Sequence, residues 1–227
     1  MAKDIFVTTE QGNKLTIKSF LKTGGDVNAH DLYGDTALMI AAAHSHIEAM
    51  KTLIAAGADV NAQNDDGNTA LMIAAKSDHI ETVTTLIAAG ADVNARNKCG
   101  NTALINAAKF DQVEITTALI SAGADVHAQN EYGNTALIEA AAWTINITIM
   151  KALIAAGADV NVHNIEGNTA LLYIAKSGYI EAMPALIAAG ADVNARNNNG
   201  STILTYAASN GRIEEYNKAI TKGLKSQ

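Results

Sequence analysis

Proline and cysteine each occur once in this chain, at Pro184 and Cys99. A lone cysteine excludes an internal disulfide and fits a reducing compartment. Aromatic residues are scarce, at 4%, although apolar residues reach 48% because alanine is abundant. An alanine-rich chain with almost no proline favours close-packed helices over a sandwich or barrel. Charged side chains make up 17%, against roughly 25% in an ordinary globular protein. They sum to a net charge of −7 with no cluster of Lys or Arg. That balance argues against nucleic acid and against an anionic membrane as partners. No run approaches the roughly 20 apolar residues of a membrane span, and the opening "MAKDIFVTTEQGNK" lacks an apolar stretch of signal-peptide length. The expectation is a soluble, cytoplasmic protein.

What the chain does have is repetition, and repetition sets the architecture. The phrase "AAGADVNA", or a close relative, places its first glycine at Gly24, Gly57, Gly90, Gly123, Gly157 and Gly190, with an echo at Gly223. The steps are 33, 33, 33, 34, 33 and 33 residues. A second phrase, "GNTAL", keeps the same beat at Gly34, Gly67, Gly100, Gly133, Gly167 and Gly200. The single 34-residue step encloses "AAAWTINITIM", residues 140–150, which holds the only tryptophan.

Residues 63–95 show what one unit is made of. "QNDDG" is turn chemistry, in which Asn and Asp tolerate left-handed backbone and Gly67 can take a positive φ. Thr69 offers a hydroxyl to cap a helix, and "ALMIAAK" continues it with strong helix formers. "SDH" interrupts. Ile80, Val83, Leu86 and Ile87 then fall at helical spacing in a second helix, which Gly90 ends. Neither helix buries its apolar face alone, so the units must stack.

The pattern G-x-T-x-L…A-A…G-A-D-V-N-A at this period resembles the ankyrin repeat. The resemblance covers nearly the whole chain. It implies an all-α solenoid of helix-turn-helix units with β-turn fingers, about seven repeats including atypical caps. The implied boundaries within a single domain (1–227) are 1–29 for the N-terminal cap, then 30–62, 63–95, 96–128, 129–162, 163–195, and 196–227 for the C-terminal cap. The family's "TPLH" stands here as "TALM" at residues 36–39 and 69–72, then with Ile105, Ile138 and Leu172 in the histidine's place. The first unit lacks "GxTAL" and carries Lys14, Lys18 and Lys22, and the last is the most polar. Polar outer faces are therefore expected at both ends.

No catalytic constellation emerges, so neither an enzyme, a cofactor nor a metal is expected. The histidines (His30, His44, His46, His79, His127 and His163) are spread over several units, and His44 and His46 lack a third ligand. Cys99 reads as an unreactive fingertip thiol. Asn106 and Glu139 fall at corresponding places on adjacent first helices. Two readings follow: a polar notch for a partner's donor, or, preferred, a hydrogen bond between repeats. The recurring Asp and Asn of "GADVN" read as turn and capping residues. In the family this Asn resembles the target of asparaginyl hydroxylases, which would point to Asn61, Asn94, Asn161 and Asn194. Pro184 is expected to disturb a second helix.

The resemblance further implies a binding surface made of finger tips and the concave face of the first helices. On the tips lie Tyr33, Asp65, Asp66, Glu131, Tyr132 and Glu166; at the helix ends lie His44, Lys76, Phe110 and Trp143. Phe110, Tyr132 and Trp143 are candidate anchors, because exposed aromatics concentrate binding energy. The acidic tips select a partner protein with basic groups around an apolar patch, moderated by Lys76, Lys109 and Lys176. The added residue, Ile145 or a neighbour, is expected to lengthen the inter-helix loop so that "TINIT" projects; alternatively Trp143 covers that loop and packs on Ile145 or Ile147. The functional expectation is a monomeric, non-enzymatic scaffold. Alternatives are the targeting part of a larger enzyme complex, or a bacterial host-directed effector secreted into a host cell, since "TALMIAA" resembles bacterial ankyrin proteins.

Overall fold

The computed structural model describes residues 5–226. Its helices run α1 (Ile5–Glu10), α2 (Lys14–Lys22), α3 (Ala37–Ala43), α4 (Ile47–Ala55), α5 (Ala70–Ala74), α6 (Ile80–Ala88), α7 (Ala103–Lys109), α8 (Val113–Ser121), α9 (Ala136–Glu139), α10 (Ile147–Ala155), α11 (Ala170–Ser177), α12 (Met183–Ala188), α13 (Ile203–Ser209) and α14 (Ile213–Leu224). Among the described residues there is no strand element, only an isolated bridge between His30 and Thr36.

Local chemistry explains where each first helix begins. Thr36, Thr69, Thr102, Thr135, Thr169 and Thr202 sit in extended backbone, and each hydroxyl accepts the N–H three residues on. Such a cap stabilises its helix by about 1 kcal/mol. The second helices end just as locally. Gly90 takes φ +89°, a conformation in which a Cβ is strained, while Gly90 N–H donates to Ile87 and Ala91 N–H to Leu86, which satisfies the last carbonyls of α6.

The apolar faces join into one continuous core, from Ile5 and Ile17 at one end to Tyr216 and Ala219 at the other. Alanines such as Ala41, Ala74 and Ala107 are fully buried; their small size lets neighbouring first helices approach closely.

Two lateral ladders tie successive helix pairs together. In the turn after α6, Asn97 Oδ1 accepts the N–H groups of Cys99 and Asn101 at 3.0 and 2.9 Å. Its Nδ2 donates to Asn68 of the preceding turn at 2.8 Å, and Lys98 N–H donates to Asp66 C=O at 3.0 Å. The same bonds recur at Asn64, Asn130, Asn164 and Asn197. In the second ladder, Asn61 Nδ2 donates to Gly90 C=O at 3.2 Å and Oδ1 accepts Asp92 N–H at 2.7 Å. Asn28, Asn94 and Asn161 repeat it. At the corresponding place the chain has His127, and the ladder is interrupted.

Three expectations have specific outcomes. First, the inserted residue does not lie at Ile145 and does not make the loop project. Six of the seven turns between paired helices carry a positive φ, at Gly12, Ser45, Asp111, Ile145, Gly178 and Gly211, so Ile145 holds its regular place. The extra residue is taken up earlier, as a π-helical turn over Ala140–Thr144 closed by Ile145 N–H donating to Ala140 C=O at 2.7 Å. Asn146 then caps α10 and donates from Nδ2 to Asp111 at 2.7 Å, which holds the loop down. Second, Pro184 disturbs the start of its second helix as expected: Ile180–Ala182 is a 3-10 turn where the corresponding stretch of α10 is α-helical, and Pro184 falls in the first turn of α12. Third, the last helix pair is polar over most of its exposed surface, with Glu214, Glu215, Asn217, Lys218 and Lys222 outward, but Leu204, Ile213 and Leu224 are exposed as well.

Candidate partner-binding surface

The C-terminal ends of α3, α5, α7, α11 and α13, with the π turn after α9, form one row, and the turns preceding these helices form a second beside it. In the first row the chain alternates buried and outward positions. Asn106 and Ala107 are buried on α7, whereas Lys109 and Phe110 emerge at its end. The period of the helix therefore brings Phe110 and Trp143 out at corresponding places on adjacent pairs. Phe110 is 46% exposed and Trp143 66% exposed.

Lys109 Nζ stands over the Trp143 ring, 4.9 Å from its centroid. The indole thus packs under a cation from the previous pair and stays open to solvent, rather than folding down on Ile145 or Ile147. Tyr132, 57% exposed, lies in the turn that leads into the helix carrying Trp143, and its N–H donates to Asn130 Oδ1 at 3.0 Å. Phe110, Lys109, Trp143 and Tyr132 therefore belong to two consecutive pairs.

The other expected site residues are exposed but more dispersed. Asp65, Asp66, Glu131 and Glu166 lie on turns and Lys76 at the end of α5, all exposed. Glu166 also accepts from Asn168 Nδ2 at 2.9 Å. Tyr33 and His44 lie towards the N-terminal end. His44 Nδ1 donates to Ile40 C=O at 3.0 Å, and its ring stacks on His46 with centroids 5.7 Å apart. His46 Nε2 in turn donates to Glu10 C=O at 2.9 Å. Among the described residues, no three His, Cys, Asp or Glu side chains come together as metal ligands.

Asn106 and Glu139 do not pair and do not form an open notch. Both are buried; Asn106 Nδ2 donates to Met72 C=O at 3.2 Å. Glu139 Oε1 accepts from Asn134 and Asn130 at 2.9 and 3.2 Å, while Oε2 has no partner. Tyr173 and Tyr206, at the same helix position, reach the turn in the same way, their hydroxyls accepting from Asn164 and Asn197.

Sequence reasoning missed an acidic depression beside Phe110. It has a volume of about 380 Å³ and is lined by Asp78, Phe110, Asp111, Gln112, Val113 and Glu114. The signal was present in "SDHIE" and "FDQVE", where an aspartate opens the inter-helix turn and a glutamate follows three residues later. Tyr179, exposed after Gly178, was missed as well. On α2 and α4, Lys14 Nζ donates to Glu48 at 2.6 Å and, with the charge of Lys51, holds that carboxyl below its ordinary value.

The fold and this surface define a class: stacked helix pairs joined by hydrogen-bonded turns, with sequence variation displayed along one row. A family model for ankyrin repeats (3 copies) matches at residues 5–97, 86–164 and 143–217, and the chain belongs to the ankyrin-repeat family. Ankyrin repeats are generally protein–protein interaction modules. A comparison with curated proteins returned no match. No helix among the described residues is long and apolar enough to cross a membrane.

Proposed function

We propose that this protein is a non-enzymatic scaffold, one seven-unit domain that binds another protein on its concave face and finger tips. The observation that carries the reading is the Phe110–Tyr132–Trp143 group: three exposed aromatics on consecutive pairs of a chain with only 4% aromatic residues. Large rings presented on a rigid frame lose little entropy on binding and fill apolar pockets. Around them Asp65, Asp66, Glu131 and Glu166, with Asp78, Asp111 and Glu114 of the depression, favour a partner whose apolar patch is bordered by basic groups. Lys76 and Lys176, in the helix-end row, fix the partner's orientation by repelling those groups from that side. The proposed setting is the cytoplasm. The same surface would serve a targeting subunit of an enzyme complex or a host-directed effector, and the partner's identity separates them.

The test is capture of partners from cell lysate by the parent chain and by a Phe110→Ala/Trp143→Ala variant whose folding is verified by circular dichroism. A protein captured by the parent and lost by the folded variant supports the reading. Equal capture by both moves the interface elsewhere.

A further inference from the structure

The neighbouring second helices α2 and α4 bound a groove of about 380 Å³. Lys14, Lys18 and Lys22 line it from α2 and Lys51 from α4, while Leu21, Ala55 and Ala56 supply an apolar lining. Four ammonium groups thus share the groove with one carboxylate, Glu48, in a chain whose net charge is −7. That carboxylate is already engaged, with Lys14 Nζ 2.6 Å from one oxygen and Lys51 Nζ 3.6 Å from the other. Lys18 and Lys22 are exposed, and neither side chain has a partner among the described residues.

The repeat does not call for these charges. Lys22 stands where α4, α6 and α10 have Ala55, Ala88 and Ala155, and Lys18 where α6 and α8 have Thr84 and Thr117. The helix dipole accounts for a cation at Lys22, in the last turn of α2, but not for Lys18 a turn earlier. Spacing adds a second observation. Lys14, Lys18 and Lys22 recur every four residues on one face of α2, about 6 Å apart along its axis. In an extended chain, alternate side chains point the same way and are about 6.6 Å apart.

We propose that this groove binds a short acidic segment of another protein in extended form. Asp or Glu at alternate positions meets the lysine row, and the apolar side chains between them rest on Leu21, Ala55 and Ala56. The charge of the whole chain selects this occupant over a nucleic acid or an anionic membrane. An extended polyanion would also meet the acidic remainder of the molecule, whereas a segment of roughly five residues spans the row and stays within it. The groove lies on the first two helix pairs, whereas Phe110 and Trp143 belong to the end of α7 and the π turn. The two surfaces therefore stand or fall independently.

Fluorescence polarisation of the full chain with a labelled peptide of alternating Glu and Val, about nine residues long, tests this. The expected result is saturable binding with a Kd of about 100 µM or lower at about 0.05 M salt, weakened at least about tenfold at about 0.5 M. Lys18→Glu/Lys22→Glu weakens it at least about tenfold with an unchanged thermal melt. Glu48→Gln, which releases Lys14, strengthens it about threefold or more. Lys98→Glu/Lys151→Glu, the same change of net charge outside the groove, binds like the parent. Absence of binding overturns the proposal, as does equal loss in both double variants, which would trace binding to net charge alone. Binding that ignores the Lys18 and Lys22 changes, or that Glu48→Gln weakens, overturns it too. A labelled oligothymidylate or phosphatidylserine vesicles bound more tightly than the peptide, and lost with Lys18 and Lys22, would give the groove to a different class of ligand.

Discussion

Lys109 and Trp143 are joined across two helix pairs, the ammonium 4.9 Å from the centre of the indole. The contact ties the end of α7 to the π turn, and the ring remains 66% exposed. An exposed cation–π contact stabilises by about 0.5–1 kcal/mol, a small fraction of the stability of an array this size. Its value lies in presenting the ring in one orientation.

Trp143→Ala should therefore separate stability from binding. The expected loss in chemical denaturation is about 1 kcal/mol or less, while affinity for the captured partner falls by about 2 kcal/mol or more, roughly thirtyfold. Lys109→Ala alone should weaken binding less, by freeing the ring. A double-mutant cycle on stability should return about 0.5–1 kcal/mol of coupling. A coupling of zero would show that the ammonium and the ring do not interact in solution.

The second ladder offers a prediction of gain. Asn61, Asn94 and Asn161 each bind the glycine carbonyl and the aspartate N–H of the next pair, but His127 makes neither bond. The backbone around His127 already has the required form, since its N–H donates to Asp125 Oδ1 at 2.9 Å just as Asn94 N–H donates to Asp92. His127→Asn should restore bonds to Gly157 and Asp159 and raise stability by about 1 kcal/mol. The check is a urea unfolding midpoint, with an unchanged slope. No shift would mean that the gap between these pairs is too wide to bridge.

What could be read from sequence followed the range of each interaction. Thr69 and Gly90 act within their own helices, so spacing alone placed the start of the first helix and the end of the second. Phe110 and Trp143 were legible because the helical period decides which residues emerge. Bonds between pairs were less legible. Asn106 and Glu139 sit at corresponding places, yet each bonds elsewhere, because the direction of a side chain is set by packing rather than by register. The inserted residue could not be positioned from letters, since the π turn that absorbs it is betrayed only by the positive φ of Ile145.

Glu139 is where this position of the first helices departs furthest from apolar filling. The residue is 2% exposed, and Oε2 has no protein donor. Burying a charge without full pairing costs free energy that a well-packed hydrocarbon does not. At the same helix position Ile40 and Ile73 are accommodated in their own pairs, with Asn64 turning in the same way as Asn130. Glu139→Ile should therefore be tolerated and stabilising, by about 1–2 kcal/mol at neutral pH. The gain is limited because Asn134 Nδ2 loses its acceptor, though that amide is half-buried and can turn to water. Denaturation of the variant at pH 7 decides the matter. A stability lowered by more than about 1 kcal/mol would show that the carboxylate organises the turn through Asn130 and Asn134, and that its two bonds outweigh the cost of its burial.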